Sequence, residues 1–128
     1  MLSDLGYVAT YVGHETHEGQ AVEHVSVSQT FSFPDAPGAP SFAHLTQVDF
    51  FLDSTTLRPT AIAFNIHPDN DAGLDIPVEI RFSDYRSVNG AHVPYHVQKF
   101  LNNSLVLDFQ AQTVTLNSGL SAASFSAL

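Results

Sequence analysis

Seven histidines and thirteen acidic residues stand against only four basic ones, Arg58, Arg81, Arg86 and Lys99. Imidazole and carboxylate together form a donor set for zinc and for acid–base work, so their spacing decides what they can do. The densest run is HETHEGQ, His14 to Gln20, with His24 close behind. It is not the H-E-x-x-H pattern of a helical metallopeptidase. The two histidines are three apart, and β-branched and aromatic residues on either side place them on a hairpin. Neighbours on a strand alternate faces, so His14 and His17 point oppositely while Glu15, His17 and His24 share a side. These donors are spread along the ladder and not gathered at one point, so the expected reading is solvated hairpin polars, and no metal ligand is assigned.

The other candidates also read as structural. DNDAGLD carries Asp69, Asp71 and Asp75 but lacks the ligand spacing and terminal bidentate Glu of a calcium loop, so an acidic turn is expected. Asp84 and Arg86 flank Tyr85 on what should be an apolar side, where an unpaired charge is costly, so mutual pairing that pins a hairpin is expected. His92 and His96 share a face by alternation alone. There is no Cys, no G-x-S-x-G elbow and no Ser with an identifiable His and acid partner, so no catalytic residue is assigned. No phosphate-cradling glycine loop occurs, and no cofactor is implied.

At 128 residues the chain fits one domain, 1–128, and its 44% hydrophobic and 13% charged residues are a globular composition. A formal charge of −9 repels phosphate backbones and anionic lipid heads, so no nucleic-acid partner is expected. Protonating all seven histidines would bring −9 to −2 (−9 + 7), which makes the charge sensitive to mild acid. No run reaches the roughly 20 apolar residues of a helical membrane span. MLSDLGYVATYVG shows neither the basic region nor the apolar stretch of a signal peptide, and upstream elements are expected to lie outside this sequence.

YVATYVG and AVEHVSVSQTF flank a Glu18-Gly19 turn, with His17 opposite Gln20, Val12 opposite Val25 and Thr10 opposite Val27. PDAPGAP reads as a loop, AHLTQVDFFLD and TAIAFNIH as strands, and PDNDAGLD as another loop. Asn89-Gly90 then marks a tight hairpin. It sets Arg86 against Val93, Asp84 against Tyr95 and Phe82 against Val97, and gathers Val78, Ile80, Phe82, Val88, Val93, Tyr95 and Val97 on one side. A three-residue Asn102-Asn103-Ser104 loop pairs Leu101 with Leu105 and Val97 with Phe109. The last strand is expected to run on through AQTVTLN, with a bulge or bend where the apolar parity switches after Thr113. The fold class is therefore all-β: a curved antiparallel meander of about seven strands with little or no helix, whose apolar face needs a cover.

YVGHETHEGQAVEHVSV, VDFFLDSTTLRPTAIAF and VEIRFSDYRSVNGAHVPYHVQKFLNNSLVLDFQAQTVTLNSGL, in that order, resemble the later part of the periplasmic LolA/LolB-like lipoprotein-carrier domains. That family shows a Gly-Glu hairpin, a strand ending D-x-x-T-x-x-P, an F-x-D-Y-R-x-V-x-G-x-x-x-P hairpin and a final V-x-L-N strand. The likeness spans Tyr7 to Leu120. It implies an incomplete barrel whose apolar concave side, partly covered by helices, holds lipid or acyl chains. The family's leading helix and first strands have no counterpart in this chain. The implied function is non-enzymatic binding or scaffolding in an exported, periplasmic bacterial protein. An apolar small molecule or lipid would lie against Val78, Ile80, Phe82, Val93, Tyr95, Val97 and Phe109, with Asp84 and Arg86 near its head group. An uncovered half-barrel also predicts a homo-oligomer. Two other classes stay open: a metal-assisted hydrolase using the hairpin histidines, and a purely structural oligomerisation module.

Overall fold

A computed structural model describes residues 5–31 and 39–125. Seven strands follow one another: β1 (Leu5–His17), β2 (Gln20–Phe31), β3 (Val48–Asp53), β4 (Pro59–Ile66), β5 (Ile76–Val88), β6 (Ala91–Leu101) and β7 (Ser104–Gln110). Each pairs antiparallel with the next, in the order β1 to β7, so the sheet is open and β1 and β7 are its edges. Among the described residues, one α-helix, α1 (Ala39–Thr46), precedes β3, and a short 3-10 turn covers Ala122–Phe125.

Three two-residue turns build the hairpins: Glu18-Gly19 (φ 50° and 77°), Asn89-Gly90 (49° and 84°) and Asn102-Asn103 (48° and 66°). Both central positions take positive φ, whose twist matches that of the flanking strands. The β5–β6 register is as expected, with Val88 opposite Ala91, Arg86 opposite Val93 and Phe82 opposite Val97.

Four expectations are corrected. In the first hairpin the pairing slips between Tyr11 and Gly13, leaving Val12 as the extra residue, so Tyr11 faces Val25 and Ala9 faces Val27. Gly13 (φ 149°) supplies the backbone freedom the bulge needs. The second correction concerns Asn102-Asn103, which closes as a two-residue turn with Leu101 opposite Ser104. A bulge at Val106 then restores Val97 opposite Phe109. The expected Val97–Phe109 pairing is present, produced by a bulge and not a longer loop, whereas Leu105 faces Phe100 and not the expected Leu101. Third, β7 ends at Gln110 rather than running through AQTVTLN. Fourth, Ala43 to Thr46 belong to α1, and β3 begins only at Val48. Pro40 suits the first turn of a helix, where its missing N–H is not needed. Thr46 Oγ1 donates to the carbonyls of Phe42 (2.9 Å) and Ala43 (3.3 Å) in the last turn. Of the PDAPGAP loop, Pro34 to Gly38 lie outside the described residues.

The register lays cross-strand rows on each face. One face carries Val25–Phe50–Ile62–Ile80 and Val27–Val48–Phe64–Val78. The other carries His24–Phe51–Ala61–Arg81–Gln98–Asp108 and Ser26–Asp49–Ala63–Glu79–Phe100. The buried cluster of Val22, Phe51 and Ala61 lies on this second, polar face. On the apolar face Val78 is buried, while Val25, Val27, Val48, Phe50, Ile62, Phe64, Ile80 and Phe82 are half-buried.

Candidate functional site

The residues expected to line a ligand surface do share a face. Phe82 pairs with Val97, which pairs with Phe109, and Val78 and Ile80 continue the same side of β5. Val78 is buried, Ile80, Phe82, Val93 and Val97 are half-buried, and Phe109 on the edge strand is 54% exposed. Tyr95 is buried, with the Arg86 guanidinium 4.4 Å from its ring centroid. That stacking covers the ring and holds the guanidinium in place.

Asp84 and Arg86 pair with each other. Arg86 Nε donates to Asp84 Oδ1 (3.1 Å) and Nη2 to Oδ2 (2.8 Å), a bidentate contact. It holds the Asp84 carboxyl below its ordinary pKa and raises that of the guanidinium. Gln110 Nε2 reaches both Asp84 Oδ2 (3.3 Å) and the Tyr95 carbonyl (3.1 Å), which ties β7 to the same point. Asp84 takes φ 54°, a left-handed conformation that Asp tolerates better than most residues. Tyr85, on the opposite side, donates its hydroxyl to the Pro59 carbonyl (2.5 Å), and burial raises its pKa. The Asp-Tyr-Arg triplet thus fastens β5 to β4, β6 and β7.

Sequence reasoning missed a hollow at the other end of the apolar face. Tyr7, Val27, Ser28, Gln29, Thr46, Val48 and Phe50 line a space of about 410 Å³. Thr46 Oγ1 accepts from the Gln29 backbone N–H (2.9 Å) and so holds the end of α1 beside it. The lining comes from β1, β2, α1 and β3. The one linear signal for it was the phase of Val27, Val48 and Phe50 with Val78.

The polar face pairs many of its groups with one another. His17 and His24 both stack on Phe51, at centroid separations of 4.3 and 4.5 Å, so Glu15, His17 and His24 do share a side. His24 Nε2 lies 2.8 Å from Asp49 Oδ1, and its Nδ1 lies 3.1 Å from Glu15 Oε1. Six of the seven histidines lie within 3.1 Å of a carboxylate, namely His14, His17, His24, His44, His67 and His96. On the opposite face Tyr11 donates to Glu23 (2.6 Å), which lowers the Glu23 pKa and raises that of Tyr11.

One further correction falls here. Ser83 Oγ lies 3.2 Å from His96 Nδ1, and His96 Nε2 lies 2.5 Å from Asp108 Oδ1, so a serine does have a His and an acid partner. Strand pairing of β5, β6 and β7 sets these residues side by side. Compared with a serine-hydrolase triad, the two ring nitrogens are exchanged. The neighbouring amides belong to a sheet ladder, which is not the geometry of an oxyanion hole.

Among the described residues two groupings have metal-ligand chemistry. His17, Glu18 and Glu79 form the first, and Arg81 already pairs with both of its carboxylates. Arg81 donates to Glu18 Oε1 (2.8 Å) and Glu79 Oε2 (2.9 Å) while its guanidinium sits 4.0 Å from the Phe100 ring centroid. His17 Nε2 is 2.5 Å from Glu79 Oε1, a charge contact without hydrogen-bond alignment. His44, His67 and Asp75 form the second, at the end of the sheet where α1 meets the β4–β5 connection.

No protein-family model and no curated protein matches the chain. Among solved structures it is similar to one described as an outer membrane lipoprotein-sorting protein domain from Vibrio parahaemolyticus. The TM-score is 0.58 at 13% identity, over 91% of this chain and 45% of that one. Identity this low speaks for fold alone. The open seven-stranded sheet is thus, over nearly its whole length, the fold of a lipoprotein-sorting domain whose own chain is about twice as long.

Proposed function

We propose that the chain is a non-enzymatic binding domain of an exported bacterial protein, holding an apolar ligand of the lipid or acyl class against its apolar sheet face. The observation that carries this is the contrast in cover. The polar face pairs many of its groups with one another, while in the rows Val25–Phe50–Ile62–Ile80 and Val27–Val48–Phe64–Val78 only Val78 is buried and the other seven side chains keep part of their surface open, beside a hollow lined largely by apolar residues. Apolar surface of this extent is unfavourable in water and normally marks a binding surface. A periplasmic setting follows from the resemblance. The test is native mass spectrometry of the purified chain, followed by titration of the delipidated protein with a fluorescent fatty acid. Co-purifying lipid or saturable probe binding supports the proposal. A delipidated, folded chain that binds no probe overturns it.

The edge strands favour a second reading, self-association. Tyr7, Val8, Tyr11 and Val12 on β1 and Leu105, Val106, Leu107 and Phe109 on β7 are exposed on both sides of their strands, next to unpaired backbone groups. A symmetric dimer would cover both kinds of surface. Light scattering at micromolar concentration is expected to give more than the monomer mass. A strictly monomeric chain free of detergent and lipid would exclude this reading.

A further inference from the structure

The histidines at the end of the sheet differ from those on the polar face in what surrounds them. His44 sits in the last turn of α1, His67 directly after β4 and Asp75 directly before β5. Three separate elements therefore deliver one side chain each to a single point. His44 Nε2 and His67 Nδ1 both lie 3.1 Å from Asp75 Oδ1, and one donor atom from each of the three residues falls within 4.8 Å of the others. Zinc held by His and Asp at about 2.0–2.1 Å in tetrahedral geometry places its donor atoms about 3.3 Å apart. The two separations to Asp75 are close to that spacing.

Hydrogen bonding alone leaves the cluster unsatisfied. His67 is 11% exposed, and its Nδ1 lies 3.1 Å from Asp75 Oδ1 and 3.2 Å from the Leu74 carbonyl, two acceptors for at most one proton. Its Nε2 is buried without a partner. No Lys or Arg pairs with Asp75 among the described residues, whereas Arg81 fills that role for His17, Glu18 and Glu79. The adjoining connection adds Asp69 and Asp71, so the local field attracts cations.

We propose that His44, His67 and Asp75 form a binding site for a divalent metal ion of the zinc class, tethering α1 to the β4–β5 connection. A cation takes the place of the two ring N–H groups that face Asp75, each imidazole then carrying its proton on its other nitrogen, and water completes the coordination. Two imidazoles and one carboxylate favour zinc over calcium or magnesium, which prefer all-oxygen sites. His44 shares the last turn of α1 with Thr46, which lines the hollow, so the ion would hold the helix that borders it.

The test is titration of the full metal-free chain with zinc and cobalt(II). Isothermal titration is expected to show one zinc per chain, cobalt to give the intense visible absorption of a tetrahedral site, and zinc to raise the melting midpoint and slow amide exchange in α1. His44→Ala, at an exposed position that leaves folding intact, and Asp75→Asn should each weaken zinc binding at least about tenfold, the scale on which even supporting groups alter metal affinity. His17→Ala should leave binding unchanged. Absence of zinc binding at micromolar concentrations overturns the proposal. So does binding that survives His44→Ala and Asp75→Asn, or binding that is lost in His17→Ala.

Discussion

Phe50 and Phe51 are adjacent in β3, and the sheet sends them to opposite faces. Phe51 stacks on two imidazoles and is buried with Val22 and Ala61. Phe50 lies half-buried at the rim of a hollow. The same side chain is therefore core on one side and available surface on the other. On the polar face, rings and charges pair with one another, although His24 Nδ1 and Glu79 Oε1 lack a hydrogen-bond partner. The apolar face offers area without partners, and that is where binding energy can come from.

The largest expected effect breaks the closed face. Phe51→Ala removes the ring on which both imidazoles rest and should cost about 3–4 kcal/mol of stability, in the range for buried Phe truncations. Phe50→Ala should cost under half of that, because its surroundings are partly solvent already. Denaturant unfolding of the two variants measures the difference, and equal losses would dissolve the distinction between the faces.

Arg81→Met comes next. It leaves Glu79, which is only partly exposed, beside Glu18 without the guanidinium that now bridges them. An unserved buried carboxylate typically costs about 1–3 kcal/mol. The loss should appear in unfolding at neutral pH and shrink when Glu79→Gln is added. A double variant no more stable than Arg81→Met would mean that Arg81 acts through its packing on Phe100 and not its charge.

A third comparison opposes Phe82 to Ser83, again neighbours on opposite faces. Phe82→Ala should lower acyl-probe binding more clearly than stability, with a cost of about 1–2 kcal/mol, below that of a fully packed core ring. Ser83→Ala removes a hydrogen bond to His96 at an exposed position and should stay within about 0.5 kcal/mol with binding unchanged. If Phe82→Ala unfolds the domain, Phe82 is core and the proposed ligand surface shrinks towards Val27, Val48 and Phe50.

Much of this frame was legible because hairpins are local. Asn89-Gly90 and the alternation around it place Phe82 opposite Val97 without reference to the rest of the chain. The single-residue irregularities at Val12 and Val106 were not legible, since a bulge changes parity and leaves composition untouched. α1 was hidden for a different reason: its eight residues run straight into the apolar VDFFLD, and a short apolar run reads equally well as strand or helix. The His44–His67–Asp75 cluster depends on where α1 ends relative to β4 and β5, so no linear spacing announces it. Ser83, His96 and Asp108 meet only across three paired strands, and reading them together required both correct registers at once.

The smallest effect concerns what closes the polar face at the end of β3. Asp53 Oδ1 accepts from the backbone N–H groups of Thr55 (2.9 Å) and Thr56 (2.7 Å), and Gln20 Nε2 donates to Oδ2 (2.6 Å). The Thr56 amide contributes most, followed by Gln20 and then the Thr55 amide, and together they bring the Asp53 pKa from 3.8 to about 2. The charged form is thus favoured by folding. Its contribution is present above pH 3.8, where the unfolded carboxyl is also ionised, and is lost as pH falls from 3.8 through about 2. An Asn at this position keeps an oxygen to accept the turn amides but cannot titrate. Asp53→Asn should therefore flatten the fall in stability between those two pH values while changing little at neutral pH. Carboxyl NMR titration of the wild type checks the cause directly: a midpoint near 2 places the amides on the carboxylate, whereas a midpoint near 4 would mean that the turn after β3 is not held by this side chain.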